Sequence, residues 1–191
     1  MEIYWRSAIC SSLIWFCLST MVLAAPLPGA DQPETQLRLG TGPSLGASLK
    51  INPIWEIGLS AAYPALNFQQ GSYFQFDTAR LGAYSLVQLL NINGFYIAGV
   101  AGVFTDFAVV NEFSPPNTWG IQAGAAFAYD LNSALTVRVN IVPGIDFNVP
   151  PNGWLLSPAS GVALVWRPQP NIALSFGVNG NGDLLGLSWG F

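Results

Sequence analysis

Large apolar residues alternate with small or polar ones along most of the chain, at the two-residue period of a β-strand with unlike faces. From residue 37, Leu37, Leu39, Thr41, Pro43, Leu45, Ala47, Leu49 and Ile51 share one face. Arg38, Gly40, Gly42, Ser44, Gly46, Ser48 and Lys50 share the other. Asn52-Pro53 breaks this run, and Trp55, Ile57, Leu59, Ala61 and Tyr63 then oppose Glu56, Gly58, Ser60 and Ala62. The design returns six more times before a final strand at residues 184–191. Turn-forming clusters separate these runs, among them Asn91-Ile92-Asn93-Gly94, Asn132-Ser133, Pro150-Pro151-Asn152-Gly153 and Gly180-Asn181-Gly182. Tight connections after Ile51, Leu90, Asp130 and Arg167 alternate with longer ones, such as residues 67–75 and 111–117. This pattern predicts an all-β, closed antiparallel up-and-down transmembrane β-barrel of eight to ten strands.

The charges decide which face looks outward. Arg38, Lys50, Glu56, Arg80, Asp106, Arg138 and Asp146 all fall on the face of Gly, Ser, Ala and Gln; Asp77, at a strand end, is the exception by parity. An Arg or Lys facing hydrocarbon at mid-membrane costs about 2–4 kcal/mol, which gives this segregation a physical cause. A soluble lipocalin-like ligand-binding barrel, the alternative, places apolar residues inside and charged ones outside. The polar face here is too lean in charge to be a hydrated exterior, so the apolar face is predicted to be the outer one. Aromatic placement agrees. Trp55, Phe95, Tyr129, Trp166, Trp189 and Phe191 gather towards the tight turns, and Tyr63, Phe107, Trp119, Phe147 and Trp154 towards the other end. Two such belts are what membrane interfaces select.

Composition adds weight. Charged residues make up only 8% of the 191-residue chain and hydrophobic ones 51%, whereas an average soluble domain is about 25% charged. Beyond the N-terminus no apolar run reaches the roughly 18 residues of a membrane-spanning helix, and a closed barrel is the remaining way to meet lipid. A net charge of −4 argues against a nucleic-acid partner. Residues 1–24 read as a secretory signal peptide, with Arg6 before an apolar stretch and small or short residues at Val22-Leu23-Ala24. Both cysteines, Cys10 and Cys17, lie within it. Residues 25–34, Pro-rich and polar, are expected to be a flexible leader, and residues 35–191 the barrel.

The last strand carries a resemblance. Gly186, Trp189 and Phe191 match a Gly, two residues, an aromatic, one residue and a final aromatic. In this the chain resembles the terminal strand of small bacterial outer-membrane β-barrel proteins, with Leu184 standing where their pattern has a polar residue. The resemblance implies residence in the outer membrane of a Gram-negative-type envelope, outer-membrane lipid as surroundings, and insertion by the barrel assembly machinery acting on that strand. Such barrels have an even number of strands, whereas nine are plain here. A hairpin bent within Gly40-Thr41-Gly42-Pro43-Ser44 gives ten and preserves parity because its loop is odd; a miscounted terminal hairpin gives eight. Ten is preferred.

Mirroring about the turns puts Lys50 near Glu56 and Arg80 near Asp106, as ion pairs inside the lumen. Charge neutralisation in a polar core is their plainer reading; an ion or solute path is the other. The enzymes known among outer-membrane barrels look to a histidine. This chain has no histidine and no cysteine beyond residue 17, so the usual Ser–His arrangement is excluded. A Ser–Asp or Asp–Asp site near Asp106 or Asp146 is all that remains. No enzyme activity, cofactor or metal is expected. Pro143 and Pro158 fall near each other on neighbouring strands, and prolines donate no ladder hydrogen bond; they mark a bulge or a possible lateral seam. A structural or surface-interaction role leads, with a narrow pore or lateral conduit for small or apolar solutes as the alternative.

Overall fold

A computed structural model describes residues 27–31, 35–41, 44–68, 74–108, 118–147, 154–157, 159–180 and 184–191. The strands in chain order are β1 (Gln36–Gly40), β2 (Ser44–Asn52), β3 (Trp55–Phe68), β4 (Phe74–Ile92), β5 (Phe95–Ala108), β6 (Thr118–Asn132), β7 (Leu135–Ile141), β8 (Pro143–Asp146), β9 (Trp154–Leu156), β10 (Gly161–Gln169), β11 (Ile172–Asn179) and β12 (Leu185–Gly190). β7 and β8 are two parts of one barrel strand, as are β9 and β10, so the wall has ten strands. Every neighbour pair is antiparallel, and β1 pairs with β12 to close the sheet. The all-β, closed antiparallel up-and-down barrel is thus the observed fold, with ten strands rather than eight.

The hairpin that resolves the count lies where Gly and Pro allow it. Gly40 faces Ser44 across a three-residue connection. An odd loop leaves even-numbered residues inward on both strands, and Arg38, Gly40, Ser44, Gly46 and Ser48 are all buried. At the other end, Asn93 and Gly94 take positive φ values of 53° and 78°, the left-handed pair that suits a two-residue hairpin. Asn52 and Asn132 cap their own turns by accepting the N–H of Ile54 and Ala134, each at 2.9 Å. Each of the four tight hairpins also carries a register shift next to its turn. Such bulges tighten the twist that a barrel rim requires.

The closing seam is well fastened. Leu37 pairs with Trp189 and Arg38 with Ser188. Thr41 Oγ1 accepts the N–H groups of Leu184 and Leu185 at 2.8 and 2.9 Å, and Phe191 N–H donates to the Thr35 carbonyl at 3.0 Å. The carboxyl terminus is therefore held in the ladder rather than frayed.

Burial follows parity around the wall. Leu59, Leu89, Ile141, Trp189 and Phe191 are outward and exposed, at 57–69% of their surface. No described charged residue is exposed. The expected aromatic positions Trp55, Phe95, Tyr129, Trp166, Tyr63, Phe107, Trp119 and Phe147 all point outward; the side chain of Trp154 lies outside the described residues, as does that of Asp77. Trp55 Nε1–H donates to the outward hydroxyl of Ser85 at 2.7 Å, satisfying a polar group on an otherwise apolar wall.

Residues 27–31 depart from the expectation of a flexible leader. Leu27, Pro28, Gly29 and Ala30 are buried, and the segment sits in the lumen among inward side chains. Composition reports the lack of a core-forming pattern in this stretch, not the presence of partners elsewhere in the chain. Residues 1–24, expected to be a signal peptide, lie outside the described residues, as do residues 69–73 and 109–117 of the longer connections.

Candidate functional site: the lumen

The interior is built in three polar clusters and one apolar patch. In the first, Arg38 on β1 reaches across β2 to Glu56 on β3, Nη2 to Oε1, at 2.8 Å, and also donates to Ser48 Oγ at 2.9 Å. The Tyr84 hydroxyl donates to the same Glu56 oxygen at 2.8 Å, and the Arg38 guanidinium lies 5.7 Å from the Tyr84 ring centre. Tyr84 can lie flat there because Gly58 is beneath it: a Cβ on Gly58 would stand 2.2 Å from the ring. Lys50 and Glu56 are ladder partners across the β2–β3 hairpin, and the carboxylate of Glu56 is ion-paired with Arg38. Spacing within one hairpin shows nearest neighbours only. A link that skips a strand needs a long side chain passing over small ones, here Gly46, Ser48 and Gly58.

The second cluster joins Arg80 and Asp106, which face each other on β4 and β5. Arg80 Nε and Nη2 donate to the two carboxylate oxygens, both at 2.6 Å. Nη1 donates to the Gly180 carbonyl at 3.0 Å, and the guanidinium lies 5.5 Å from the Phe104 ring centre. Both residues are 2% exposed. A buried pair that is forked, and whose third guanidinium nitrogen also donates to a backbone carbonyl, is the kind of arrangement in which burial of two charges is tolerated.

The third cluster was not legible in the strands because its central carboxylate, Asp31, comes from the leader. Asp31 accepts from Arg138 Nε at 2.8 Å and Nη2 at 3.1 Å, and it also contacts Arg167 Nη2. Arg167 Nη1 donates to Thr136 Oγ1 at 2.6 Å; Thr136 donates on to Asp130, whose other oxygen accepts from the Tyr96 hydroxyl at 2.9 Å. Burial pushes the Asp31 carboxyl up, but Arg138 and then Arg167 outweigh it, and the group sits below the usual carboxylate range. Among residues whose side chains are described, the cations Arg38, Lys50, Arg80, Arg138 and Arg167 balance the anions Asp31, Glu56, Asp106, Asp130 and Asp146. The described interior is formally neutral.

Between the clusters lies an apolar patch of Tyr84, Leu86, Ala98, Val100, Ala126, Ala128 and Val142, packed against Ala30 of the leader and Ala159. Ala159 belongs to an inward bulge between β9 and β10. Pro143 pairs with Leu156 and Val139 with Val162, so three residues on one strand oppose five on the other. The ladder gap this leaves at Val142 is filled by side chains. Ser160 Oγ donates to the Val142 carbonyl at 2.6 Å and accepts its N–H at 3.1 Å, and Ser157 Oγ donates to the same carbonyl. Ala159 N–H donates to Gln122 Oε1 at 3.3 Å. Pro143, suggested as one side of a lateral seam, is exposed on the outer wall; Pro158 lies outside the described residues. Ser-x-x-Ser after a Pro-rich turn is the sequence feature that marks this substitution of hydroxyls for ladder groups.

Chemically the lumen holds Arg38 with Glu56, Arg80 with Asp106, and Asp31 with Arg138 and Arg167 as ion pairs. No cluster of three or more His, Cys, Asp or Glu suited to a metal occurs among the described residues. Asp106 is committed to Arg80. Gly186, Trp189 and Phe191 lie on or at the end of the closing strand, with Trp189 and Phe191 outward and exposed. No helix among the described residues is long and apolar enough to cross a membrane. In comparison with known proteins, no family model, curated protein or solved structure matches this chain.

Proposed function

We propose that this protein is an integral outer-membrane β-barrel with a closed lumen, non-enzymatic, serving a structural or surface-interaction role. The observation that carries this reading is the inversion of the usual surface: large apolar side chains outside, all described charges buried or half-buried. More than thirty large apolar residues are exposed on the wall. Covering such residues is worth roughly 1 kcal/mol or more each, so several tens of kcal/mol favour contact with hydrocarbon over water. That exceeds the roughly 5–15 kcal/mol that holds an ordinary domain folded. Along β5, the twelve-residue interval from Phe95 to Phe107, tilted as barrel strands are, spans about 30 Å of height, close to a hydrocarbon core. The C-terminal Gly186, Trp189 and Phe191 fit delivery to the barrel assembly machinery, and outer-membrane lipid is the wall's partner.

Closure of the lumen rests on the two buried ion-pair clusters, the leader and the bulge at Ala159, which between them cross the bore. Planar-bilayer recording of detergent-purified protein tests it. A silent membrane is the expected result; steady channels from the full chain would overturn it in favour of a narrow pore.

A further inference from the structure

The leader is held by its backbone as well as by Asp31. The Leu27 carbonyl accepts from Arg138 Nη1 at 3.2 Å, the Pro28 carbonyl from Asn140 Nδ2 at 2.8 Å, and the Ala30 carbonyl from Gln88 Nε2 at 3.3 Å. One guanidinium thus grips a carbonyl and, four residues later, both oxygens of a carboxylate, so the segment is curled about Arg138. The fit leaves no space at its centre, since a Cβ on Gly29 would stand 2.4 Å from the Arg138 guanidinium carbon. Ala30 covers the apolar patch. Asn140 is 4% exposed, and its carboxamide oxygen has no hydrogen-bond partner, which leaves one buried acceptor ready for a further N–H.

These features are those of a recognition site: a two-arginine seat for a carboxylate, side-chain donors for successive peptide carbonyls, and an apolar floor. We propose that Gln88, Arg138, Asn140 and Arg167 form a binding site for a short curled peptide with an acidic side chain, and that residues 27–31 occupy it as a built-in ligand. The ligand class is a peptide of small and apolar residues ending in Asp, because the site matches backbone carbonyls and one carboxylate together. A segment covalently attached at the mouth of the barrel competes at high effective concentration, so the site is open to an added peptide only once the leader is removed or weakened.

The test uses a fluorescently labelled Leu-Pro-Gly-Ala-Asp peptide and the barrel refolded in detergent micelles, with binding read by fluorescence polarisation. A chain lacking residues 27–31 should bind the peptide saturably, and the same peptide ending in Asn about tenfold to a hundredfold more weakly. The full chain should bind neither. Should the shortened chain fail to fold, the full-length Asp31→Asn variant takes its place, and its loosened leader should admit the Asp peptide where the unaltered chain does not. Equal affinity for the Asp and Asn peptides, or no binding by a folded chain of either kind, overturns the proposal. Because binding is read in micelles, it stands or falls independently of whether the barrel conducts in a bilayer.

Discussion

At the scale of single residues, the interior is governed by the rule that a buried charge is tolerable only with its partner. Asp106→Ala leaves Arg80 buried and unmatched and should destabilise the barrel by about 3–5 kcal/mol, whereas Arg80→Met combined with Asp106→Leu should cost clearly less. Urea unfolding of the micelle-bound barrel measures both. If the single and double variants lose the same stability, the pair is not what holds that layer together. Asp31 supplies a pH dependence with a definite sign. Its folded pKa is depressed by Arg138 and Arg167, so its stabilising contribution is present above the unfolded value of about 3.9 and is lost as pH falls through the folded one. Asp130 and Tyr96 face the same cluster, and Lys50 and Glu56 line the pocket beside Ala30. Hydrogen exchange of residues 27–31, compared at each pH, should be slower in the unaltered chain than in Asp31→Asn above about pH 4. The two should converge in stronger acid, and equal rates at neutral pH would contradict the ion pairs. The Arg80–Asp106 pair was legible in the sequence because its two strands share a hairpin-like mirror. Arg38–Glu56 was not, because its partners are separated by a whole strand.

At the scale of elements, alternation did most of the work, because an inward position two residues from another needs no tertiary knowledge. The Gly40–Ser44 hairpin was readable from its Gly and Pro residues, and its odd loop is the reason parity survives it. The bulge between β9 and β10 was harder. Two extra residues leave parity unchanged, so Val162 still points outward and the sequence pattern carries no trace of the insertion. Ser157 and Ser160 close that gap with hydroxyl groups. Replacing both with Ala strands the Val142 carbonyl and N–H in a buried place, at a cost of about 1–3 kcal/mol. Amide exchange at Val142 should accelerate in that variant while exchange at Val103, two strands away on β5, stays as it was. Unchanged exchange at Val142 would show that the hydroxyls are not its ladder substitutes. The leader was the element misread, since Pro and Gly with few apolar residues ordinarily mean a chain that finds no partner. Its partners Gln88, Arg138, Asn140 and Arg167 come from three barrel strands far along the sequence.

At the scale of the whole molecule, one division organises everything: charge and small residues inward, large apolar residues outward, and a wall closed from β1 to β12. An isolated apolar strand would be ambiguous, but ten in one register sharing a single polarity are not. Substituting a mid-wall outward residue tests the division energetically. Leu59→Arg, at a position 65% exposed, should weaken folding into lipid bilayers by about 2–4 kcal/mol, where the same change on a water-facing wall would alter stability by less than about 0.5 kcal/mol. The most direct measurement needs no variant. The tryptophans whose side chains are described, Trp55, Trp119, Trp166 and Trp189, all point outward, so their fluorescence reports what touches the wall. In reconstituted vesicles, brominated lipids should quench that emission strongly while aqueous iodide barely affects it. Strong quenching by iodide with little effect of brominated lipid would mean that the apolar face meets water, and the inverted barrel described here would be wrong.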